Sequence, residues 1–188
     1  MNVVRGAADR TPAQSDSDAL VLGGNILSLL AAMGAFRRTG EQILASRGIQ
    51  DISPEKWYPL RQYCDALTTI EQKMGPNTLF RIGTEIPNFI PLPPGLDTFE
   101  AVLGSFAPAF SMNHRGAGAG GITHSQSGPH EGRIVSGTPY PCDFDRGVIQ
   151  GFFRKLLGPG YVFEHEPGSC KKNGGPQCAH RVLRPKTL

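Results

Sequence analysis

Apolar residues recur at intervals of three and four positions through the first part of the chain. From Asp18 toward Gly48 the series comprises Leu22, Ile26, Leu29, Leu30, Met33, Phe36, Ile43 and Leu44. This spacing predicts an amphipathic helix with one face in the core. The glycines within it, Gly23, Gly24, Gly34 and Gly40, weaken a helix by about 1 kcal/mol each relative to alanine. Small residues also permit close packing, so they predict either one kinked core helix or a helix that contacts another helix or a second copy.

A second helical pattern follows Ser53-Pro54, where a capping side chain precedes a proline whose missing N–H costs least at a helix start. Its apolar face comprises Trp57, Leu60, Cys64, Leu67, Ile70 and Met74, and Gly75-Pro76 ends it. Pro59 offers an alternative start for the regular part. Cys64 lies inside the apolar face, which predicts a buried and unreactive thiol.

A proline-rich stretch separates this helix from the next one. Residues 78–83, TLFRIG, are predicted either as a short strand or as the end of a helix that packs on the last one. Residues 86–95, IPNFIPLPPG, contain too many prolines for regular structure and should cross the surface or cover the mouth of a cavity. A capping box at residues 97–100 begins a helix with Phe99, Val102, Leu103, Phe106 and Phe110 on one face. Such a face indicates core packing or the wall of a ligand cavity.

Strand and helix signals alternate in the last third of the chain. The glycine-rich residues 116–121 predict a turn into a strand, ITHSQ, whose partner GRIVSG follows a Gly-Pro turn. Asp143 or Asp145 is predicted to cap a helix with Val148, Ile149, Phe152, Phe153 and Leu156 on its buried face. YVFEHE and AHRVLR should then pair as antiparallel strands around Asn173-Gly174-Gly175. The C-terminal third is therefore predicted to be a helix followed by a β-hairpin.

Composition narrows the class of protein. The 188 residues are enough for one sizeable core, so we expect a single domain over residues 18–188 after a disordered tail at residues 1–17. The net charge of +3 comes from scattered basic residues and does not predict binding to nucleic acid. No apolar run approaches the roughly 20 residues of a membrane span. The N-terminus lacks a secretory pattern, which predicts a cytoplasmic protein with reduced cysteines.

Three of the four cysteines are candidates for metal binding. Cys142 lies at the start of the last predicted helix, while Cys170 and Cys178 flank the predicted hairpin turn, so the fold can bring the three sulfur atoms together. Zinc needs four ligands in a tetrahedral arrangement. Spacing leaves the fourth donor open among the neighbouring carboxylates and imidazoles, which are Glu164, His165, Glu166 and His180.

Catalytic signatures are absent from the sequence. It has no GxSxG elbow, no HExxH pair and no Walker loop, and the glycine run lacks the Gly-Lys-Ser/Thr ending of a phosphate loop. A cysteine nucleophile with a histidine base is conceivable for Cys142 with His114 or His165, but no local signature supports it. The sequence therefore favours a binding protein over an enzyme.

The residues around Cys142, the CKKNGGPQC turn and the closing strand resemble the 4-vinyl-reductase (V4R) domain family, which has a C-x7-C turn and an earlier cysteine. Upstream, LFRIG, DTFEAVL and NHRG occur in the expected order, so the resemblance spans about residues 20 to 185. That family shares an α+β fold, with helices packed on an antiparallel sheet, with haem–nitric-oxide domains and TRAPP transport-particle subunits. The resemblance thus implies this fold class.

The resemblance also implies a function. Related domains in aromatic-sensing transcription activators bind small molecules, are often dimeric, and hold zinc through three cysteines and a glutamate. By position Cys142, Cys170 and Cys178 match, but Pro167 occupies the place of the glutamate and Glu166 lies one residue further back. Glu166 is therefore the fourth donor that the resemblance favours. The sequence lacks the nicotinamide-binding fingerprint that reductase chemistry would require.

Our leading hypothesis is a non-enzymatic sensory or regulatory domain with a structural zinc ion, a small hydrophobic or aromatic ligand, a homodimeric state and a downstream signalling partner. The expected pocket lies between the last two long helices and the sheet, beneath the proline segment. Its predicted lining residues are Phe106, Phe110, His114, Tyr140 and Phe152. The alternatives are a haem or tetrapyrrole sensor with a histidine axial ligand, and a ligand-free assembly subunit.

Overall fold

The structure, a computed structural model, describes residues 18–166, 168 and 170–184. These residues form six α-helices: α1 (Gly23–Ala32), α2 (Arg37–Ser46), α3 (Leu60–Met74), α4 (Pro76–Glu85), α5 (Phe99–Asn113) and α6 (Cys142–Leu157). They also form seven strands: β1 (Leu20–Leu22), β2 (Trp57–Pro59), β3 (His114–Arg115), β4 (Ile122–Gly128), β5 (Glu131–Ser136), β6 (Val162–Glu166) and β7 (Cys178–Leu183). The tail predicted at residues 1–17 lies outside the described part.

The strands make two antiparallel sheets. A small sheet has the order β2-β1-β3, and a larger one has the order β4-β5-β7-β6. In the larger sheet Ser136 is opposite Cys178, and His165 is opposite His180. The predicted pairings of β4 with β5 and of β6 with β7 are confirmed. The α+β class, with helices on an antiparallel sheet and a C-terminal helix plus hairpin, is confirmed as well.

Apolar side chains collect in two cores. The first lies among α1 to α4 and the small sheet, and the second lies where α5 and α6 cover the larger sheet. Cys142, Cys170 and Cys178 form a separate buried cluster beside them. No helix in the described ranges combines the length and the apolar character needed to cross a bilayer.

The helix predicted over residues 18–48 is not continuous in the structure. Gly34 has φ +52°, and a short 3-10 turn at Gly34–Phe36 separates α1 from α2. Because this φ is left-handed, the chain cannot continue the α-helical path through the glycine. The chain folds back instead, and Met33 packs against Gly40.

Three alternatives left open by the sequence concern α3, α4 and the proline segment. Helix α3 begins after Pro59, because Trp57 belongs to β2 and pairs with Leu22. The TLFRIG segment is helical and lies in α4, against α6. After a 3-10 turn at Ile86–Phe89 the proline segment has no regular structure until α5, where the Thr98 side chain accepts a hydrogen bond from the Ala101 N–H.

The predicted aspartate cap of α6 is wrong. The helix begins at Cys142, and Pro141 occupies the N-cap position. Asp143 and Asp145 both lie in the first turn, where negative charge is favourable. Their carboxylates accept hydrogen bonds from lysines of the hairpin turn instead of capping the helix.

Glycines allow α4 and α6 to approach each other closely. A β-carbon at Gly147 would lie 2.2 Å from the Phe80 carbonyl oxygen, and one at Gly83 would lie 2.7 Å from the Phe144 carbonyl oxygen. Real β-carbons do not make such contacts with backbone atoms, so a side chain at either position forces the helices apart. This contact fixes the position of α6, which carries part of both candidate sites.

We expect Gly147→Ala to lower the free energy of unfolding by about 1–3 kcal/mol, because the added methyl overpacks a backbone contact. Gly104→Ala is the matched control, since Gly104 lies inside α5 and its nearest neighbour to an added β-carbon is 3.9 Å away. That substitution should stabilise the protein by up to about 1 kcal/mol through helix propensity. Urea denaturation of both variants measures the two effects, and equal stabilities would contradict the close-contact account.

Candidate functional site

A small cavity of about 130 Å³ lies between α5, α6 and the first core. The five residues predicted to line a pocket, Phe106, Phe110, His114, Tyr140 and Phe152, all lie on its wall. The other lining residues are Asn25, Tyr63, Ile86, Ile90, Ser105, Ala109, Asn113, Ile122, Phe144, Asp145 and Val148. The wall is therefore mainly apolar and aromatic, with a few polar groups.

His114 is the central polar group of this cavity. It follows α5 directly, is 7% exposed, and stacks on the Phe110 ring with 3.9 Å between ring centroids. Its Nδ1 lies 2.8 Å from the Phe110 carbonyl oxygen, which can only accept, so Nδ1 carries the proton. Nε2 must then accept the short hydrogen bond that the Tyr140 hydroxyl donates. Both ring nitrogens are engaged.

Burial fixes the charge state of this pair. It lowers the pKa of His114 against the opposing effect of the hydrogen bond to Phe110, so the imidazole is neutral. Burial, with the neighbouring Tyr63, raises the pKa of Tyr140 well above its ordinary value. The Tyr63 ring meets Tyr140 edge-on at 5.8 Å between centroids. The polar end of the cavity, formed by His114 and Tyr140, is consequently uncharged at these two residues.

A larger groove of about 840 Å³ adjoins the cavity. Its walls come from α1, α5 and the proline segment, including Phe89, Pro91 and Met112. It shares six lining residues with the cavity: Asn25, Ile90, Ser105, Ala109, Asn113 and Phe152. Phe89 is 48% exposed and Met112 is 69% exposed. The proline segment thus lies along the groove that leads to the cavity.

The predicted convergence of three cysteines is present in the structure. Cys142 and Cys170 have their Sγ atoms 3.8 Å apart, and those of Cys170 and Cys178 are 3.9 Å apart. The Nε2 atom of His165 lies 3.7 Å from the Cys142 Sγ atom. The four donor atoms all lie within 4.8 Å of one another. Three segments of the chain, the start of α6, strand β6 and the two ends of the hairpin turn, supply them.

The three contact distances match the edges of a tetrahedral zinc site, and the other separations in the set are within 4.8 Å. With bonds of about 2.3 Å to sulfur and about 2.05 Å to nitrogen, tetrahedral geometry gives edges of about 3.8 Å for S···S and about 3.6 Å for S···N. The three cysteines are nearly fully buried, while His165 is half-buried. All four donor types and three of the six separations therefore fit zinc.

The thiols do not titrate alike. Burial raises the pKa of Cys142, and contact with the thiol of Cys178 adds to the effect. Burial also raises the pKa of Cys170. Hydrogen bonds from the Lys172 backbone N–H and from the neighbouring thiols lower it by more, so the pKa of Cys170 lies below the ordinary value. Cys170 is thus the thiol that loses its proton most readily, as the first ligand to a metal would.

Glu166, which the resemblance favoured, is not part of this cluster. Both of its carboxylate oxygens accept hydrogen bonds from Arg133, at 2.8 Å each, and this pairing lowers the pKa of Glu166. Side chains alternate along β6, so Glu164 and Glu166 share one face and His165 has the other. Glu164 pairs with Arg181 on that same face. Alternation along the strand therefore places the His165 side chain beside the cysteines.

His180, the last of the alternatives, lies next to the cluster but outside it. Its ring stacks on His165 with 4.8 Å between centroids, and it is 1% exposed. Neither ring nitrogen has a hydrogen-bond partner among the described residues. Burial, with the neighbouring His165, lowers its pKa to about 4, so it is neutral.

The sequence analysis did not identify Lys171, which links the thiol cluster to the wall of the cavity. Its ammonium group lies 2.7 Å from an Asp145 carboxylate oxygen and 2.7 Å from the Tyr140 carbonyl oxygen. The signal available was its position directly after Cys170, opposite two aspartates at the start of α6. Sequence spacing alone does not show which aspartate meets which lysine.

We expect the free energy of unfolding to fall as the pH is lowered below about 6.5, in part because of His114. Its folded pKa lies below the ordinary value of 6.5, so the unfolded chain binds the proton more readily and gains stability as the pH falls through that range. Urea denaturation between pH 7 and pH 5 measures this effect. The slope should decrease in His114→Leu and persist in His124→Leu, whose ring is exposed in the folded protein. Equal slopes in all three proteins would contradict the assignment.

Comparison with known proteins identifies the fold of this chain but does not identify a sequence family. No protein-family model matches the chain, and no curated protein does. An H-NOX protein from S. oneidensis, solved in the Fe(II)NO ligation state, has a TM-score of 0.61 at 13% identity and covers 87% of this chain and 99% of its own. A single-residue mutant of T. tengcongensis H-NOX has a TM-score of 0.63 at 15% identity, covering 88% and 98%.

A third H-NOX protein, an unliganded Fe(II) mutant from K. algicida, gives a TM-score of 0.61 at 11% identity, covering 89% of this chain and 98% of its own. At such identities the likeness shows the fold alone. The predicted relation to haem–nitric-oxide domains is thus confirmed at the level of fold. Membership in the V4R family stays a prediction, and the chain has the fold of the H-NOX domains.

Proposed function

We propose that this protein is a small-molecule-binding sensor domain whose ligand occupies the cavity beside His114 and Tyr140. The observation that carries the proposal is one hydrogen-bonded polar pair in the wall of a mainly apolar cavity. Ligand sites typically combine apolar walls with a few placed polar groups. His114 has no free nitrogen to act as a general base, which favours binding over catalysis.

The size of the cavity limits the ligand. An engineered apolar cavity of about 150 Å³ takes up benzene, so the 130 Å³ cavity here fits a ligand of about one ring. The adjoining groove offers space to a longer substituent that passes Ala109 and Phe152. This supports the class of ligand that the sequence suggested, a small hydrophobic or aromatic molecule.

Zinc belongs to this proposal as a structural ion. Cys142, His165, Cys170 and Cys178 would hold it, and four protein donors leave no open position for catalysis. When bound, zinc supplies a fixed tetrahedral junction between chain segments. The residues around it tie the hairpin turn and β6 to the start of α6. The same C-x7-C turn supports our proposal that the chain is related to the V4R family, with His165 in place of the carboxylate.

We expect one zinc ion per chain in the purified protein, and His165→Ala should lower zinc affinity by about 100-fold, because it removes one of four ligands. Glu166→Gln is the matched control, since its carboxylate binds Arg133 and should leave zinc affinity unchanged. Competition with a chromophoric chelator measures both affinities.

Removal of zinc should also lower the melting temperature, because metal binding to such a site contributes to folding. An unchanged melting curve in zinc-free protein would contradict the structural role. If Glu166→Gln rather than His165→Ala lost zinc, the assignment of the fourth ligand would be wrong.

We expect the protein to bind fluorobenzene, and Ala109→Leu to weaken that binding at least about tenfold, because the larger side chain fills the cavity and its mouth. Ala107→Leu is the control, because it makes the same change in the same helix and does not line the cavity or the groove. Titration by ¹⁹F NMR measures the dissociation constants. Equal binding in both variants would contradict the location of the site.

The fold likeness favours a second candidate, a haem-binding sensor, since the similar H-NOX structures include Fe(II) and Fe(II)NO forms. A buried histidine in the cavity also favours it. In this conformation, however, Nε2 of His114 accepts a hydrogen bond from Tyr140, and 130 Å³ does not hold a tetrapyrrole. The residues as placed fit a one-ring ligand better. A visible absorption spectrum of the protein with added haem distinguishes the two, because a Soret band shifted from that of free haem would favour haem.

The other interpretations stay predictions. Homodimer formation, a downstream signalling partner and a ligand-free assembly role are each separable by native mass spectrometry. That measurement detects a retained small molecule, a metal ion and the number of chains together.

A further inference from the structure

The segment that leads from Cys170 into the hairpin turn is attached to the start of α6 at three consecutive positions. Cys170 contacts Cys142, Lys171 pairs with Asp145, and Lys172 pairs with Asp143. Its 3-10 turn at Lys171–Asn173 is closed by a hydrogen bond from the Asn173 N–H to the Cys170 carbonyl oxygen. The position of Cys170 therefore determines where both lysines can reach.

The ammonium group of Lys171, which has three N–H donors, has four acceptor atoms within 3.3 Å, and three of them lie at 3.0 Å or less. Its Nζ lies 2.7 Å from Asp145 Oδ2, 2.7 Å from the Tyr140 carbonyl oxygen and 3.0 Å from the Thr138 carbonyl oxygen. The side chain is only 16% exposed, and that of Asp145 is 8% exposed. A charge pair this deeply buried is costly to separate, because each group left alone would remain desolvated.

The groups that Lys171 holds belong to the wall of the cavity. Tyr140 and Asp145 both line it, and the Tyr140 hydroxyl donates to His114. Ser136 and Thr138 donate to the same Asp145 oxygen, at 2.6 and 2.7 Å. A continuous set of direct contacts thus runs from the Cys170 sulfur through Lys171 to the polar end of the cavity.

We propose that Lys171 is a positioning residue that couples zinc at the thiol cluster to ligand binding in the cavity. The inference rests on the proposed function. With zinc bound, Cys170 is fixed and Lys171 holds Tyr140 and Asp145 in the arrangement that the ligand meets. Without zinc, the segment is released from one of its three attachments, and the cavity wall loses a constraint. Since coupling between two sites is reciprocal, the ligand must raise zinc affinity by the same factor by which zinc raises ligand affinity.

The test uses the full chain under reducing conditions, zinc-loaded or zinc-free, with fluorobenzene as the probe and ¹⁹F NMR as the readout. In the wild type, removal of zinc should weaken fluorobenzene binding at least about fivefold, within the usual range of coupling between sites. Zinc affinity measured with and without saturating fluorobenzene should change by the same factor. Linkage requires this equality of any coupling between the two sites, so it checks the measurements; the readout that a merely structural residue would not give is a loss of the zinc dependence in a Lys171 variant.

Lys171→Met should bind zinc yet bind fluorobenzene as weakly as the zinc-free wild type, and its fluorobenzene affinity should no longer depend on zinc. Lys172→Met is the matched control, because it makes the same change one residue later and its partners, Asp143 and Glu71, do not line the cavity. It should keep both the affinity and the zinc dependence, because zinc still fixes Cys170 directly beside Lys171 and the contacts of Lys171 with Tyr140 and Asp145 are unchanged. Lys171→Arg retains the charge with a different geometry and should recover part of the coupling. If Lys171→Met does not fold, Lys171→Arg is the variant that tests the coupling.

The outcomes separate this inference from the function it rests on. If zinc-loaded wild type bound no fluorobenzene, the ligand site itself would be contradicted and the coupling with it. If fluorobenzene bound equally well with and without zinc, the coupling alone would be overturned. If the zinc-free protein did not fold, zinc-loaded Lys171→Met and Lys172→Met would decide, and equal fluorobenzene affinity in the two would reject the role of Lys171.

Discussion

The buried carboxylate of Asp145 is the group on which both candidate sites depend. It accepts hydrogen bonds from Ser136, Thr138 and Lys171 on one oxygen and is 7% exposed. A charge in that environment persists only when it is paired and hydrogen-bonded. To satisfy it, the end of β5 and the hairpin turn must both meet the first turn of α6. That requirement places the cysteines around one point and closes the polar end of the cavity, so one electrostatic constraint organises two chemically different sites.

Helix α6 can meet this requirement because α4 holds it in place. Gly83, Gly147 and Gly151 let the two backbones approach to a distance that any side chain would prevent. One end of α6 then carries the charged and thiol groups, while its later turns pack Phe152 and Phe153 into the second core. Helix α6 can carry buried charges at one end because it packs into an aromatic core at the other. The burial of apolar side chains there offsets the cost of burying the charges.

Sequence patterns predicted the parts of this structure that depend on local spacing. The periodicity of α3 and α5, the hairpin of β6 and β7, and the meeting of three cysteines all follow from such rules, and all are present. The sequence predicted a possible kink in the first helix but not the complete break at Gly34, because the apolar period continues across it. His165 was one of four donors that spacing left open, and the resemblance favoured Glu166 instead; alternation along β6 places His165 on the side of the cysteines. The pairing of Lys171 with Asp145 depends on how two distant segments pack, which no local pattern encodes.

Fold likeness alone does not determine which ligand this protein binds. The H-NOX structures share its architecture, yet a fold can host different ligands, and the side chains inside the cavity decide among them. Here Nδ1 of His114 donates to Phe110, and Nε2 accepts from Tyr140. An axial bond to iron needs a free imidazole nitrogen, so it would displace the Tyr140 hydroxyl and leave it buried without its acceptor. The Tyr140 backbone is in turn fixed by Lys171. The contacts that order the polar end of the cavity would therefore oppose an axial bond from His114 to iron.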